Sequence, residues 1–382
     1  MPHIELLRRG EQVMTVCNAC RYCEQYCPVF PAMENRLSFG KADLTYLANL
    51  CHNCGECLYA CQYAPPHEFG INVPRTLAEI RAFSYEHYCW PRPLARAFSQ
   101  SNLRTGLALA IGLIAVMFIA TLIQHGGTIP LPVGPGDFYA VMPHQVMVTL
   151  FGGVFLFVIV AMWIGFMRFR RDLHGAPVPR RSLRAVALAA RDVLTLRHLH
   201  ATGVDCTTAE ETRTPWRRWF HHCTFYGFLL CFASTSVASI YHSIFHWAAP
   251  YPYTSLPVIL GTVGGIGLLV GPAGLLFLRR RRDPALTDPA QKGLDESFIV
   301  LLFLTSLTGL LLLVLRESAA MSPLLIVHLG VVLALFLTLP YGKFVHGMYR
   351  AAALVHYAME TQPVNEPAAG HQAEDSGPTA AE

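Results

Sequence analysis

Long apolar runs dominate the chain beyond residue 104, whereas the first hundred residues mix apolar and polar positions at short intervals. Six of these runs approach the length of about 20 residues with which a helix crosses a bilayer. The predicted spans have their cores at 106–123, 146–167, 223–241, 257–278, 298–315 and 324–344. The fourth run is the least regular because it carries six glycines and Pro272, yet small residues also let membrane helices pack closely.

Basic residues in the connecting loops predict the orientation of the spans, because short loops rich in Lys and Arg stay in the cytoplasm. They lie before the first span, in the second and fourth loops and after the last span, at Arg92, Arg96, Arg104, Arg168, Arg170, Arg171, Arg180, Arg181, Arg279, Arg280, Arg281, Arg282, Lys343 and Arg350. Loops 124–143 and 242–256 contain neither Lys nor Arg. We therefore expect a multi-pass protein of a bacterial inner membrane, with both termini in the cytoplasm.

Within the second loop, residues 182–200 place apolar and basic side chains at helical spacing. This pattern predicts an amphipathic helix. Such a helix lies either in the membrane interface or on a solvated protein surface, and the sequence leaves both alternatives open.

Composition agrees with a membrane location and disfavours several classes of protein. Hydrophobic residues make up 53% of the 382 and charged residues 14%, with a mean hydropathy of +0.37. This balance lies outside the range of ordinary soluble domains. The net charge of +4 is small and the surplus of Arg lies beside apolar runs, so nucleic acid is not an expected partner. The first thirty residues lack the apolar run of a signal peptide, and export of the N-terminal domain is not expected.

Eight of the twelve cysteines fall into two short motifs near the N-terminus. The first reads Cys17-Asn-Ala-Cys20-Arg-Tyr-Cys23-Glu-Gln-Tyr-Cys27-Pro28, which is the spacing of bacterial two-cluster ferredoxins. The second reads Cys51-His-Asn-Cys54-Gly-Glu-Cys57-Leu-Tyr-Ala-Cys61 and is followed by Gln62 instead of proline. Cysteines at such spacing indicate metal binding in a reducing compartment.

In this ferredoxin pattern the fourth cysteine of each motif binds the cluster of the other motif. We therefore assign one [4Fe–4S] cluster to Cys17, Cys20, Cys23 and Cys61, and the second to Cys51, Cys54, Cys57 and Cys27. Structural zinc sites and disulfides are the alternatives.

Iron–sulfur clusters need no membrane domain, so an electron acceptor is expected within the spans. Histidines at or within the spans are the candidate ligands of b-type haem: His144, His221, His222, His242, His328 and His346. His328 and His346 are 18 residues apart and would share one face of a single helix, about 27 Å apart along its axis. Antiparallel packing of the third and sixth spans would then bring His222 or His221 near His346, and His242 near His328.

These predictions divide the chain into three parts. Residues 1–103 should form an α-rich, bacterial ferredoxin-like domain with two [4Fe–4S] clusters in the cytoplasm, and 104–350 a six-helix transmembrane domain of the cytochrome b kind. The tail 351–382 should be cytoplasmic and largely disordered, because it is rich in Ala, Glu and Pro after residue 362. The predicted fold class is an α-helical membrane protein.

Two runs resemble the tricarballylate-utilisation protein B family, also called the citrate-utilisation CitB family. They are Arg-Arg-Trp-Phe-His-His-Cys-Thr-Phe-Tyr-Gly-Phe-Leu-Leu-Cys at 217–231 and the second cysteine motif with its extension to His67. The resemblance implies two [4Fe–4S] clusters, one or two b-type haems and electron transfer to the membrane quinone pool. It also implies a partner, an FAD-dependent dehydrogenase that oxidises tricarballylate to cis-aconitate. No Gly-x-Gly-x-x-Gly run follows a predicted strand, so the substrate chemistry is expected on that other chain.

Two other functions compete with a quinone-linked electron carrier. One is a subunit of another redox complex, of the heterodisulfide-reductase or glycerol-3-phosphate-dehydrogenase kind, although the chain lacks the adjacent cysteine pair of those modules. The other is a membrane-anchored iron–sulfur sensor without turnover. A sensor would not need paired histidines in its spans, so a haem spectrum discriminates it from the two carriers.

Overall fold

A computed structural model describes residues 2–99, 103–129, 137–173, 182–200, 206–207, 213–247, 249–288 and 292–361. Nearly all of this described part is helical. The first six helices are α1 Pro2–Cys20, α2 Val29–Glu34, α3 Lys41–Leu50, α4 Glu56–Tyr59, α5 Val73–Tyr88 and α6 Arg92–Ser99. The predicted disordered region from 362 onward lies outside the described residues.

The N-terminal domain is built around α1, α3 and α5, which pack against one another. Apolar side chains from each helix meet in its core, among them Met14, Leu47 and Ile80, all fully buried. Helix α5 starts after Asn72, whose side chain accepts a hydrogen bond from the Arg75 N–H at 3.0 Å. The first two cysteines of the first motif lie in the last turn of α1, and the other cysteines of both motifs lie in the segments that connect α1, α3 and α5.

The remaining elements include the six long apolar helices. They are α7 Leu103–Gln124, α8 Phe138–Val141, α9 His144–Leu173, α10 Leu183–Leu194, the antiparallel strands β1 Cys206–Thr207 and β2 Arg213–Thr214, α11 Trp216–Ser243, α12 Leu256–Arg280, α13 Lys292–Leu315, α14 Met321–Thr338 and α15 His346–Glu360. Short 3-10 turns lie at Arg197–His200, Pro284–Leu286 and Lys343–Val345. In the described part of the chain, six helices are long and apolar enough to cross a membrane: α7, α9, α11, α12, α13 and α14. A helix at each predicted span is thus confirmed.

The irregular fourth span is a continuous helix, and its glycines lie against α11. Helices α11 and α12 approach so closely that a Cβ at Gly264 would lie 2.8 Å from the Gly227 carbonyl oxygen and the Cys231 amide nitrogen. A Cβ at Gly271 would lie 2.6 Å from the Thr224 amide nitrogen. The glycines therefore serve backbone contact between two helices, as small residues do in membrane proteins.

We expect Gly264→Ala to lower the free energy of unfolding by about 1–3 kcal/mol, because the added methyl group meets backbone that cannot move aside. Thermal unfolding in detergent measures the effect. Gly112→Ala in α7 is the matched control, since a Cβ there meets nothing within 4 Å. The control should be neutral or slightly stabilising, because alanine favours helix over glycine. Equal unfolding temperatures for the two variants would contradict the close approach of α11 and α12.

The sixth predicted span is wrong in its C-terminal part. Helix α14 ends at Thr338 instead of continuing to 344, and His346 begins a separate helix, α15. The break follows from Pro340, which has no N–H for a helical hydrogen bond and disfavours helix in the residue before it. His328 and His346 therefore do not share one helix face, and the argument from their spacing of 18 residues fails.

The boundary predicted at 350 falls inside α15, which continues to Glu360 and is part of the packed structure. Its Glu360 carboxylate accepts hydrogen bonds from Arg36 at 2.7 Å and from the Tyr46 hydroxyl at 3.0 Å, both in the N-terminal domain. The sequence analysis missed this helix because its apolar stretch, which includes Ala353 and Leu354, is shorter than a membrane span. The last described helix, α15, thus packs against the N-terminal domain.

The predicted amphipathic helix in the second loop is confirmed as α10. It packs against α15, with Ala185 and Ala189 buried at the contact. Leu183 and Val186 remain exposed on α10. The face of α10 that carries these alanines is therefore covered by α15.

The N-terminal domain shares one hydrophobic core with the C-terminal end of α9 and with α15. Tyr88 of α5, Phe169 of α9 and Tyr349 of α15 are buried against one another, with ring centroids 5.0–6.0 Å apart. The Tyr88 hydroxyl also donates to Asp172 at 2.8 Å. The cysteine-bearing domain is therefore fixed against the ends of the apolar helices.

Candidate metal centres

Both cysteine motifs have a left-handed residue directly after their second cysteine, although Cys17–Cys20 is helical and Cys51–Cys54 is not. Helix α1 ends at Cys20, and the next residue, Arg21, has a left-handed φ of 53°. In the second motif the residue after Cys54 is Gly55, with a φ of 96°. The left-handed residue turns the chain sharply after the second cysteine of each motif, so that the third cysteine returns toward the first two.

The first cavity has Cys17, Cys20, Cys23 and Cys61 in its walls and encloses about 410 Å³, part of it open to solvent. Burial, and then the charges on Cys61, Cys23 and Cys20, raise the pKa of Cys17 to about 12. Burial, and then Cys61 and Cys20, raise the pKa of Cys23 to about 12 as well. These four sulfurs thus share one environment, in which thiolates need a cationic partner.

The second cavity is lined by Cys27, Cys51, Cys54 and Cys57 and encloses about 340 Å³. Burial, and then Cys54 and Cys51, raise the pKa of Cys27 well above its ordinary range. Cys57 also lies in the wall of the first cavity, so the two cavities are neighbours. Each cavity therefore joins three cysteines of one motif with the last cysteine of the other, the crosswise arrangement expected from the spacing.

The cysteines of each cavity surround a space instead of meeting at one point. Within the described ranges, no three side chains of Cys, His, Asp or Glu come close enough together to hold a single metal ion. A [4Fe–4S] cube carries an iron at each of four corners, so its four thiolates surround a volume. Both donor sets fit such a cluster in number, residue type and arrangement.

The two cavities differ in what lies around them. Beside the first, Tyr22 is 65% exposed and the Gln62 amide lies 3.9 Å from the Cys20 sulfur. Beside the second, the buried Asn53 side chain donates to the Leu286 carbonyl at 3.2 Å, in the turn that follows α12. The first cavity is therefore next to the protein surface, and the second is next to the ends of the apolar helices.

The predicted approach of His221 to His346 is found in the structure. Their ring centroids are 6.0 Å apart, close to the separation of about 6 Å that results when two imidazole nitrogens each lie about 2 Å from one iron. His346 Nδ1 hydrogen-bonds the Lys343 carbonyl, and the His221 Nδ1 is buried with no hydrogen-bond partner. Histidine ligands commonly bind a carbonyl through one nitrogen and the metal through the other, an arrangement that His346 has and His221 lacks. The separation of the two rings is the feature of this pair that fits a haem iron.

Two other predicted positions differ from this arrangement. His222 turns away from His346 and packs on Tyr226, with ring centroids 5.9 Å apart. His328 of α14 contacts α13, where its Nδ1 lies 2.9 Å from the Thr308 hydroxyl. Adjacent residues on a helix point about 100° apart, so only one of His221 and His222 can face α15.

His242 meets His144, not His328 as predicted. The ring centroids of His144 and His242 are 4.2 Å apart, and Tyr139 packs against both rings. The separation is shorter than that required by two imidazoles on one iron. As the rings stand, this second pair does not fit a bis-histidine haem.

The sequence did not identify a group of arginines around the second cavity. Arg81, Arg217, Arg282 and Arg350 reach the backbone carbonyls of Cys51–Asn53. Arg282 and Arg350 were interpreted only as markers of orientation. Their contacts join residues up to 299 positions apart, so no local pattern could reveal them.

The sequence matches a known protein family over most of its length. The family model "Citrate utilization protein B" matches residues 97–367, and "Citrate utilization protein B Fer4-like domain" matches residues 10–87. A protein from Escherichia coli called Citrate utilization protein B is 52% identical over 351 residues, which cover 92% of this chain and 91% of that protein. No solved structure matches. The chain therefore belongs to the citrate utilization protein B family and carries the Fer4-like domain of that family at its N-terminus.

Proposed function

We propose that the protein carries electrons from a soluble FAD-dependent dehydrogenase to the quinone pool of a bacterial inner membrane. The Fer4-like domain suggests an iron–sulfur electron-transfer role in the use of citrate or related acids. The partner is a dehydrogenase of the tricarballylate dehydrogenase kind, as the family resemblance implies. The carriers are two [4Fe–4S] clusters, which accept and release single electrons, and a b-type haem.

The proposal rests on the short distance between the second cysteine cavity and the pair His221 and His346. Arg350 donates to the Cys51 carbonyl at 2.8 Å, and His346 lies one helical turn before Arg350 on α15. Residues four apart on a helix are neighbours on one face. A haem on His221 and His346 would thus lie within a few side chains of the cluster on Cys51, which supports electron transfer between them.

Electrons are proposed to enter through the first cavity. Its sulfur Cys20 lies beside the exposed Gln62 and Tyr22, where a partner protein can approach. In the second cavity Cys51 is buried, whereas all four cysteines assigned to the first cavity are partly exposed. This order leads from the surface to the apolar helices.

Both termini are proposed to be cytoplasmic, so the loop before α12 should lie outside and the loop after it inside. A reporter fusion at Tyr253 should therefore be active in the periplasm, and one at Asp288 in the cytoplasm. The charged residues Arg279, Arg280 and Arg281 at the end of α12 support this orientation. The opposite pair of activities would reverse it, and equal activities would remove α12 from the spans.

The decisive experiment uses the full chain purified anaerobically in detergent. We expect about eight irons in clusters that are visible by EPR after reduction, and a b-type haem band in the reduced-minus-oxidised spectrum. Added tricarballylate dehydrogenase and tricarballylate should reduce the clusters, the haem and then a soluble quinone. A zinc stoichiometry would contradict the cluster proposal. Iron clusters without any quinone reduction would favour a sensor.

A further inference from the structure

The backbone of Cys51, His52 and Asn53 is bound by a group of arginines that we call the arginine clamp: Arg81, Arg217, Arg282 and Arg350. The Cys51 carbonyl accepts from Arg81 at 2.7 Å and from Arg350 at 2.8 Å. The next two carbonyls both accept from Arg217, at 3.0 Å for His52 and 2.8 Å for Asn53. Arg282 donates to the Asn53 carbonyl and, at 3.0 Å, to its side-chain oxygen.

The arginine clamp combines several distant parts of the chain. Arg81 belongs to α5, Arg217 to the first turn of α11, and Arg350 to α15, while Arg282 follows α12. Arg81 is 3% exposed. Four guanidinium groups thus approach one short loop, and two of them, Arg217 and Arg282, lie at the ends of the apolar helices α11 and α12.

The loop of the first motif has different surroundings. Arg21 is exposed there and donates to the Asn18 carbonyl in its own turn at 3.1 Å. The neutral Gln62 amide is the group that approaches the Cys20 sulfur. Charges in water are screened within several ångströms, whereas buried charges act on their neighbours with much less screening.

Cluster potentials depend on net charge, hydrogen bonding and solvent exposure. An added electron makes a cluster more negative, so nearby buried cations stabilise the reduced form. We infer that the arginine clamp raises the reduction potential of the cluster held by Cys27, Cys51, Cys54 and Cys57 above that of the cluster in the first cavity. This inference rests on the proposed function, because it requires both clusters.

The consequence is a direction of electron flow. The reduced flavin of the partner dehydrogenase would give its two electrons one at a time to the cluster held in the first cavity, and the same transfer would follow for each electron. That cluster is then reoxidised as it passes the electron to the cluster beside the arginine clamp, which is reduced. No proton or bond is exchanged between the two clusters, and the electron collects next to the apolar helices.

The test compares Arg350→Gln with Arg350→Lys in the full chain. Glutamine keeps an N–H donor for the Cys51 carbonyl but removes the charge, whereas lysine keeps the charge. Potentiometric titration followed by EPR measures both clusters separately. We expect Arg350→Gln to lower the midpoint potential of the cluster beside the arginine clamp by about 59 mV. This shift corresponds to a tenfold change in a one-electron equilibrium. Arg350→Lys should leave it near the wild-type value.

Arg168→Gln is the matched control, since Arg168 donates at 2.9 Å to the Cys89 carbonyl, outside the cysteine motifs. It should change neither midpoint. Arg217→Gln provides a second clamp variant at the two following carbonyls and should lower the same midpoint. Unchanged potentials, equal shifts of both clusters, or loss of iron from every clamp variant including Arg350→Lys would overturn the inference. Absence of two clusters in the wild-type protein would instead refute the proposed function.

Discussion

Replacement of Cys20 by serine is expected to lower the iron content of the anaerobically purified protein from about eight to about four atoms per chain. Cys20 lies in the wall of the first cavity and not among the residues of the second. A serine hydroxyl is a much weaker ligand for iron than the cysteine thiolate, so one cluster should be lost. Iron and acid-labile sulfide analysis, with EPR of the reduced protein, measures the loss.

Cys89→Ser is the control for the effect of removing a thiol. Cys89 is buried outside both cavities, and its thiol donates to the Pro340 carbonyl at 3.1 Å. A serine there can make the same hydrogen bond and should keep about eight irons. Cys20→Ser should also unfold at a lower temperature, because the clusters bind only the folded domain. An iron content unaffected by Cys20→Ser, or reduced equally by Cys89→Ser, would rule out the assigned cavity.

Replacement of His346 by alanine is expected to remove a b-type haem band from the reduced-minus-oxidised spectrum and to stop quinone reduction. His221→Ala should have the same effect, because the two rings are 6.0 Å apart and fit one iron. The EPR signals of the iron–sulfur clusters should remain, since neither histidine lies in a cysteine cavity. Optical spectroscopy and EPR on the same samples separate the two results.

His222→Ala offers a close control on the same helix turn. His222 contacts Tyr226, so its loss should leave the haem band unchanged. A spectrum that changes with His222 and not with His221 would place the ligand on the other face of α11. If neither His346 nor His221 affects the haem, this pair does not bind it, and His144, His242 and His328 are the predicted candidates that remain to be replaced.

The sequence predicts well what depends on neighbouring residues. Apolar runs of sufficient length identified all six long helices, because a backbone in lipid must satisfy its own hydrogen bonds within a helix. The spacing of the four cysteines in each motif also predicted which cysteine joins which cavity, down to the exchange of Cys27 and Cys61. Both results depend on repeating local rules.

Long-range packing is what the sequence could not supply. Apolar residues continue past Thr338, so hydrophobicity alone did not reveal that Pro340 ends α14. The pairing of His242 with His144 depends on which helices are neighbours, and several arrangements of six helices share the same apolar pattern. The arginine clamp was missed for a related reason, since arginine near a span also fits a simple role in orientation.

The bond between Arg350 and the Cys51 carbonyl also bears on biogenesis. These residues are 299 positions apart, and ribosomes add about 5–20 residues each second. The cysteine loop is therefore synthesised about 15 to 60 seconds before Arg350 of its last partner helix. During that interval the loop is uncovered on the side where α15 later docks. Cofactor delivery to the nascent chain thus has a period of open access, which closes when translation of α15 is complete.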